Sequence, residues 1–95
     1  MRPVPQVLIP WNPAEVITTD QAAVIARKST RTIRLWAANH DIGRRIVNGD
    51  WVVSQVALTM LLEDDRAALS AYLRGDRESE NVTRYFERAR IEIVK

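Results

Sequence analysis

Arg31 and Arg34 stand three residues apart, and Arg44 and Arg45 follow ten residues later. A guanidinium is always charged and presents planar donors that fork to guanine edges or grip phosphate oxygens. Arg27 and Lys28 add to them, so six basic side chains face a single acid, Asp41, between positions 27 and 45. Between positions 63 and 80 the balance reverses. There Glu63, Asp64, Asp65, Asp76, Glu78 and Glu80 outnumber Arg66, Arg74 and Arg77. A formal net charge of only +2 therefore conceals a basic front and an acidic back. The plain alternative is a mixed, solvated surface, but the tight basic cluster favours a surface shaped for an acidic partner.

Other chemistry has little to build on. The chain has 95 residues, no cysteine and one histidine, His40. That excludes a thiolate nucleophile, a disulfide and the usual zinc ligand sets. No glycine-rich phosphate loop is present. His40 sits beside Asp41, but adjacency in sequence does not make a catalytic pair. Glu63, Asp64 and Asp65 lack the spacing of a calcium loop, so they read as a solvated acidic patch. The residues point away from an enzyme and call for no cofactor and no metal. The length suits one small domain. No apolar run is long enough to span a bilayer, and four prolines in the first thirteen residues oppose a helical signal segment. A soluble, cytoplasmic protein without membrane contact is expected.

Four groups of elements must position the arginines. Residues 1–17 read as a proline-rich, extended arm, because Pro3, Pro5, Pro10 and Pro13 fix φ and remove donors. Val7, Leu8 and Ile9 offer a short strand or a packed stretch, and Trp11 an anchor. A first helix is predicted from a cap at Thr18, with Gln21 three residues on completing a capping box, and it ends near positions 26–28. Ser29 caps a second helix that buries Thr32, Ile33 and Trp36 and turns Thr30, Arg31, Arg34 and Ala37 elsewhere. Asn48 and Gly49 predict a hairpin with a type I′ turn and strands over 44–47 and 50–53, with Trp51 as packing glue. Ser54 caps a third helical stretch reaching Gly75, which the acidic run at 63–65 has the means to split. A last helix is predicted over 79–90 and a frayed end or short strand after it.

The basic helix and the basic hairpin together form a candidate DNA surface. Thr30, Arg31 and Arg34 are placed for bases, and Lys28 and Ser29 for phosphates near the helix N-terminus. Arg44, Arg45, Asn48 and Gly49 would reach the neighbouring backbone or minor groove as a wing. The stretch "TTDQAAVIARKSTRTIRLWAANHDIGRRIVNGDWVVSQVAL" resembles the winged helix-turn-helix of excisionase-type proteins, related to the MerR-like DNA-binding domain. Thr18, Ala22, Ala23, Ser29, the run from Arg31 to Arg34, Trp36, Arg44, Arg45, Gly49, Trp51, Ser54 and Leu58 carry that resemblance. It covers less than half the chain. Two departures have the capacity to alter the docking angle. Arg27 replaces the usual glycine of the turn, which predicts a looser turn, and Ile42 with Gly43 replaces a frequent Leu-Pro.

The resemblance implies a mainly α fold with a β-hairpin wing. It implies a recombination directionality factor that self-associates on adjacent DNA sites, bends the duplex and assists a tyrosine recombinase (integrase) in excision. On this reading residues 18–75 are the DNA-binding domain and 76–95 a tail for self-association or partner contact. The competing functions are a small transcriptional regulator with the same head and a phage terminase small-subunit-like DNA-recognition protein.

Overall fold

Thr18 ends one element and starts the next. It closes strand β1 (Val16–Thr18) and is the N-cap of helix α1 (Thr19–Ala26) in the computed structural model, which describes residues 4–94. The Gln21 backbone N–H donates to the Thr18 hydroxyl at 3.0 Å, and the Thr18 N–H donates to Gln21 Oε1 at 2.8 Å. The expected capping box is formed, which satisfies two of the helix's otherwise unpaired donors. Ser29 caps α2 (Thr30–Asn39) with a single bond, accepting from the Thr32 N–H at 3.1 Å. Strands β2 (Gly43–Arg45) and β3 (Trp51–Ser54) follow, then helices α3 (Gln55–Leu62), α4 (Arg66–Leu73) and α5 (Glu80–Ala89). The described residues thus form a mainly helical fold with a small antiparallel sheet of order β1-β3-β2.

The turn between α1 and α2 is tight, contrary to the looser turn expected from Arg27. Arg27 takes the left-handed conformation itself (φ 57°). Its N–H donates to the Val24 carbonyl at 3.3 Å and the Lys28 N–H to the Ala23 carbonyl at 3.0 Å. This is a Schellman closure, the geometry glycine usually provides.

The hairpin also differs from expectation. Arg45 pairs with Trp51, and Gly43 with Val53. The Gly49 N–H donates to the Ile46 carbonyl at 2.8 Å, and the Ile46 N–H to the Asp50 carbonyl at 2.9 Å. Val47, Asn48 and Gly49 therefore form a three-residue loop, with left-handed backbone at Gly49 (φ 89°) but not at Asn48. The two-residue type I′ turn is replaced by a tight turn plus a glycine bulge. The reason lies in the strands. A one-residue slip would send every side chain to the opposite face, and Val53 is held in the core. Within this register only glycine fits at position 43, since a Cβ there would lie 2.4 Å from the Val52 carbonyl oxygen.

The acidic run splits the third helical stretch. Asp64 turns left-handed (φ 54°), and Asp65 caps α4 by accepting from the Ala68 N–H at 3.1 Å. Glu63 and Asp64 are exposed, as a solvated patch requires, and Glu63 and Asp65 also tie down α5. Arg88 meets Glu63 at 2.5 Å, Arg84 meets Asp65 at 2.9 Å, and the Tyr85 hydroxyl donates to Asp65 at 2.6 Å. Hydrogen bonds from Arg88 and from Tyr85 hold the Glu63 and Asp65 carboxyls, respectively, below the ordinary range.

The N-terminal segment is folded in, not extended. Of its prolines, Pro3 lies outside the described residues, and the Ile9-Pro10 bond is cis. Val7 and Leu8 are buried in the core, while Trp11, expected as the anchor, is 47% exposed. Arg77 holds the segment by donating to the carbonyls of Gln6 (2.7 Å), Ile9 (3.1 Å) and Tyr72 (2.7 Å). Beneath it Glu15 is buried, accepting from the Ser54 hydroxyl at 2.5 Å and from the Tyr72 hydroxyl. One core joins these parts: Leu8, Ile33, Ile42, Val53, Leu58, Tyr72, Val82 and Phe86 all belong to it. Residues 90–94 stay irregular, with Ile91 buried and the Glu92 carbonyl accepting from Asn12 at 2.8 Å.

Candidate nucleic-acid interface

Ile33 and Ala37, four residues apart, fix how α2 sits, because both are buried against the sheet and α1. Ala37 thus belongs to the core, contrary to the expectation that it points away; only a small side chain fits where α2 meets Gly43. Trp36 is half-buried and packs on the core as expected. Helical spacing then turns Arg31 and Arg34 outward, and both are exposed. Thr30 is half-buried, and Lys28 and Ser29 are exposed at the helix start. The Ser29 hydroxyl is engaged locally, capping Thr32 N and donating to Thr32 Oγ1 at 3.1 Å. A phosphate at Ser29 would have to share it with the cap.

The hairpin packs beside α2. Arg34 from the helix and Arg45 and Gly49 from the hairpin line one open groove of about 520 Å³. Thr18, Thr19, Ile46, Asp50, Trp51 and Val52 complete its walls and were not anticipated as site residues from the sequence. Thr18 and Thr19 come close because β1 pairs with β3, a contact no local pattern announces. Arg45 lies over the ring of its cross-strand partner Trp51, with the guanidinium carbon 5.6 Å from the ring centre. Trp51 is half-buried and is a platform for that cation as much as the core glue expected of it.

The two neighbouring wing arginines part company. Arg44 is half-buried and lines a second groove, of about 440 Å³, with Val4, Ala37, Ala38 and Gly43. Successive strand residues point to opposite faces, which is why the pair divides. Arg45 borders both grooves. Asn48 is exposed at the loop and its Oδ1 accepts from the Asp50 N–H at 3.1 Å, holding the loop closed. Val47 stands out fully at the tip.

The arrangement brings Arg34, Arg45 and Gly49 to one surface, leaves Arg31 and Lys28 exposed on the same helix segment, and turns Arg44 aside. Such a surface carries exposed cations on a helix and on the neighbouring hairpin, which gives it a positive local potential. Among the described residues no cluster of side chains suits a metal ion, and no helix is long and apolar enough to cross a membrane. No protein-family model, curated protein or solved structure matches the chain.

Proposed function

We propose that the chain binds double-stranded DNA as a winged helix-turn-helix protein, with α2 as the recognition helix and the β2–β3 hairpin as the wing. The observation that carries this reading is the groove shared by Arg34 of α2 and Arg45 and Gly49 of the hairpin. A helix of this size enters the major groove with its first turns toward the base edges, and a neighbouring hairpin reaches the adjacent backbone or minor groove. Arg31 and Arg34 read bases, Lys28 and the start of α2 position phosphates, and Arg45 grips the backbone beside the wing tip. On the resemblance of residues 18–58, the protein acts as an excisionase. It loads on adjacent sites, self-associates there, bends the duplex and promotes excision by a tyrosine recombinase, without covalent chemistry of its own. Smooth bending of a short site costs several kcal/mol, roughly 1–6, so several bound copies serve better than one.

A gel-shift titration on the ends of the element that encodes the chain tests this. Stepwise ladders are expected from adjacent loading. Arg34→Ala is expected to weaken specific binding by about 1–3 kcal/mol, the value of one bidentate base contact, and to relax sequence preference. If duplex DNA is ignored even at low salt, the reading fails. A single protected palindrome at a promoter, with no ladder, would instead identify a transcriptional regulator.

A further inference from the structure

We propose that the groove between residues 4–6 and α4 docks an amphipathic helix of a partner protein. That helix carries two adjacent apolar anchors between acidic side chains seven residues apart. This surface is separate from the one assigned to DNA, and the proposal stands apart from that reading.

The groove measures about 680 Å³, within the roughly 300–1,000 Å³ of ligand-sized sites. Its apolar walls are Val4 and Pro5 on one side and Leu69 and Leu73 on the other. Val4 is 72% exposed, and Leu69 and Leu73 are half-buried, so apolar surface stays open along the whole trough. The floor is preformed. The Gln6 N–H donates to the Leu73 carbonyl at 2.8 Å, and the Arg77 guanidinium fixes the carbonyls of Gln6 and Ile9. A partner therefore meets a shaped surface and need not order it.

Charge selects the occupant. Arg66 and Arg74 both line the groove, one from each end of α4, and both are exposed. Arg74 donates to the Ser70 hydroxyl at 2.7 Å, which steadies the guanidinium without neutralising it. Arg66 meets Asp64 at 3.3 Å through Nε, in a pair so exposed that it is worth little. Asp41 is the one acid among the lining residues. Eight residues of helix separate the two arginines by about 12 Å. A single small carboxylate reaches one of them. Acids seven residues apart on a helix lie about 10.5 Å apart and reach both, with apolar anchors between them meeting Leu69 and Leu73.

The test uses the full chain and two fluorescein-labelled helical peptides. One places two leucines between glutamates seven residues apart; the other has lysine at those glutamates. At low salt the glutamate peptide is expected to bind about tenfold more tightly than the lysine peptide, as charge complementarity across an interface demands. It should shift the methyl resonances of Val4, Leu69 and Leu73. The double variant Arg66→Glu with Arg74→Glu changes only exposed side chains and should invert the preference. Failure of the glutamate peptide to bind, equal binding of both peptides, or an unchanged preference in the double variant overturns the proposal. So does a shift of the Leu69 and Leu73 methyls by duplex DNA in place of the peptide.

Discussion

Arg44 and Arg45 are adjacent and chemically identical, yet only Arg45 reaches the groove that Arg34 lines, while both border the other. Their substitutions should therefore separate. Arg45→Ala is expected to lower the slope of log affinity against log salt by about 1, the signature of one lost phosphate contact. Arg44→Ala should leave the slope nearly unchanged, and anisotropy titrations across a salt series would check both. Glu15 makes a second prediction. Burial pushes its carboxyl above the ordinary value of 4.5, against the opposing hydrogen bonds from Ser54 and Tyr72 and the charge of Arg77. Between 4.5 and that raised value the unfolded chain releases a proton that the folded protein keeps, so this group's contribution to stability falls as pH rises through that window. Glu15→Gln should flatten that part of the profile in melts run from pH 4.5 to 7. Caps at Thr18, Ser29, Ser54 and Asp65 satisfy donors within three residues, so a local pattern is enough to reveal those of Thr18, Ser29 and Ser54 before any coordinates are seen. Glu15 was invisible, because its partners Ser54 and Tyr72 are 39 and 57 residues away.

All five helices are followed by a left-handed residue, at Arg27, Asp41, Asp64, Gly75 and Arg90, and only one of the five is glycine. A side chain in that conformation costs about 1–2 kcal/mol, part of which glycine's greater unfolded-state freedom offsets. Arg27→Gly should therefore stabilise the protein by about 0.5–1 kcal/mol, seen as a higher denaturant midpoint with an unchanged slope. A loss of stability would mean that Arg27 makes contacts worth more than its strain. At this scale the helices were legible from their periodicity and caps. The hairpin was legible in place but not in register. Asn48 and Gly49 mark a turn, whereas Val53 in the core decides the pairing, and that pairing leaves room only for glycine at 43. Strand β1 could not be read at all: three residues, paired with β3 more than thirty positions away, carry no period of their own. The candidate site shared both limits. The arginines were legible as charges, while their division between two grooves, and the company of Thr18 and Trp51, came from pairing.

Seen whole, the chain draws on both of its ends to complete one core. Leu8 comes from the start, and Val82, Tyr85 and Phe86 from α5. A fragment of residues 18–75, the span expected to hold the DNA-binding unit, would lack all four. Large-to-small changes at single buried sites already cost about 2–5 kcal/mol, against a total stability of about 5–15 kcal/mol for a domain. That fragment is therefore expected to lose cooperative melting by circular dichroism and dispersed amide resonances, and with them any specific duplex affinity. Independent folding of the fragment would show that the flanks only decorate the fold.

The Leu8 N–H donates to the Tyr72 hydroxyl at 3.0 Å, and Asn12 reaches the Glu92 carbonyl. A ribosome making this polypeptide lays down the arginine-bearing helix and hairpin well before α5. It cannot finish the scaffold beneath them until Val82, Phe86 and Ile91 have cleared the exit tunnel. The nascent chain therefore holds these arginines in place only once α5 has emerged, and a message truncated ahead of α5 would yield a product open to proteolysis.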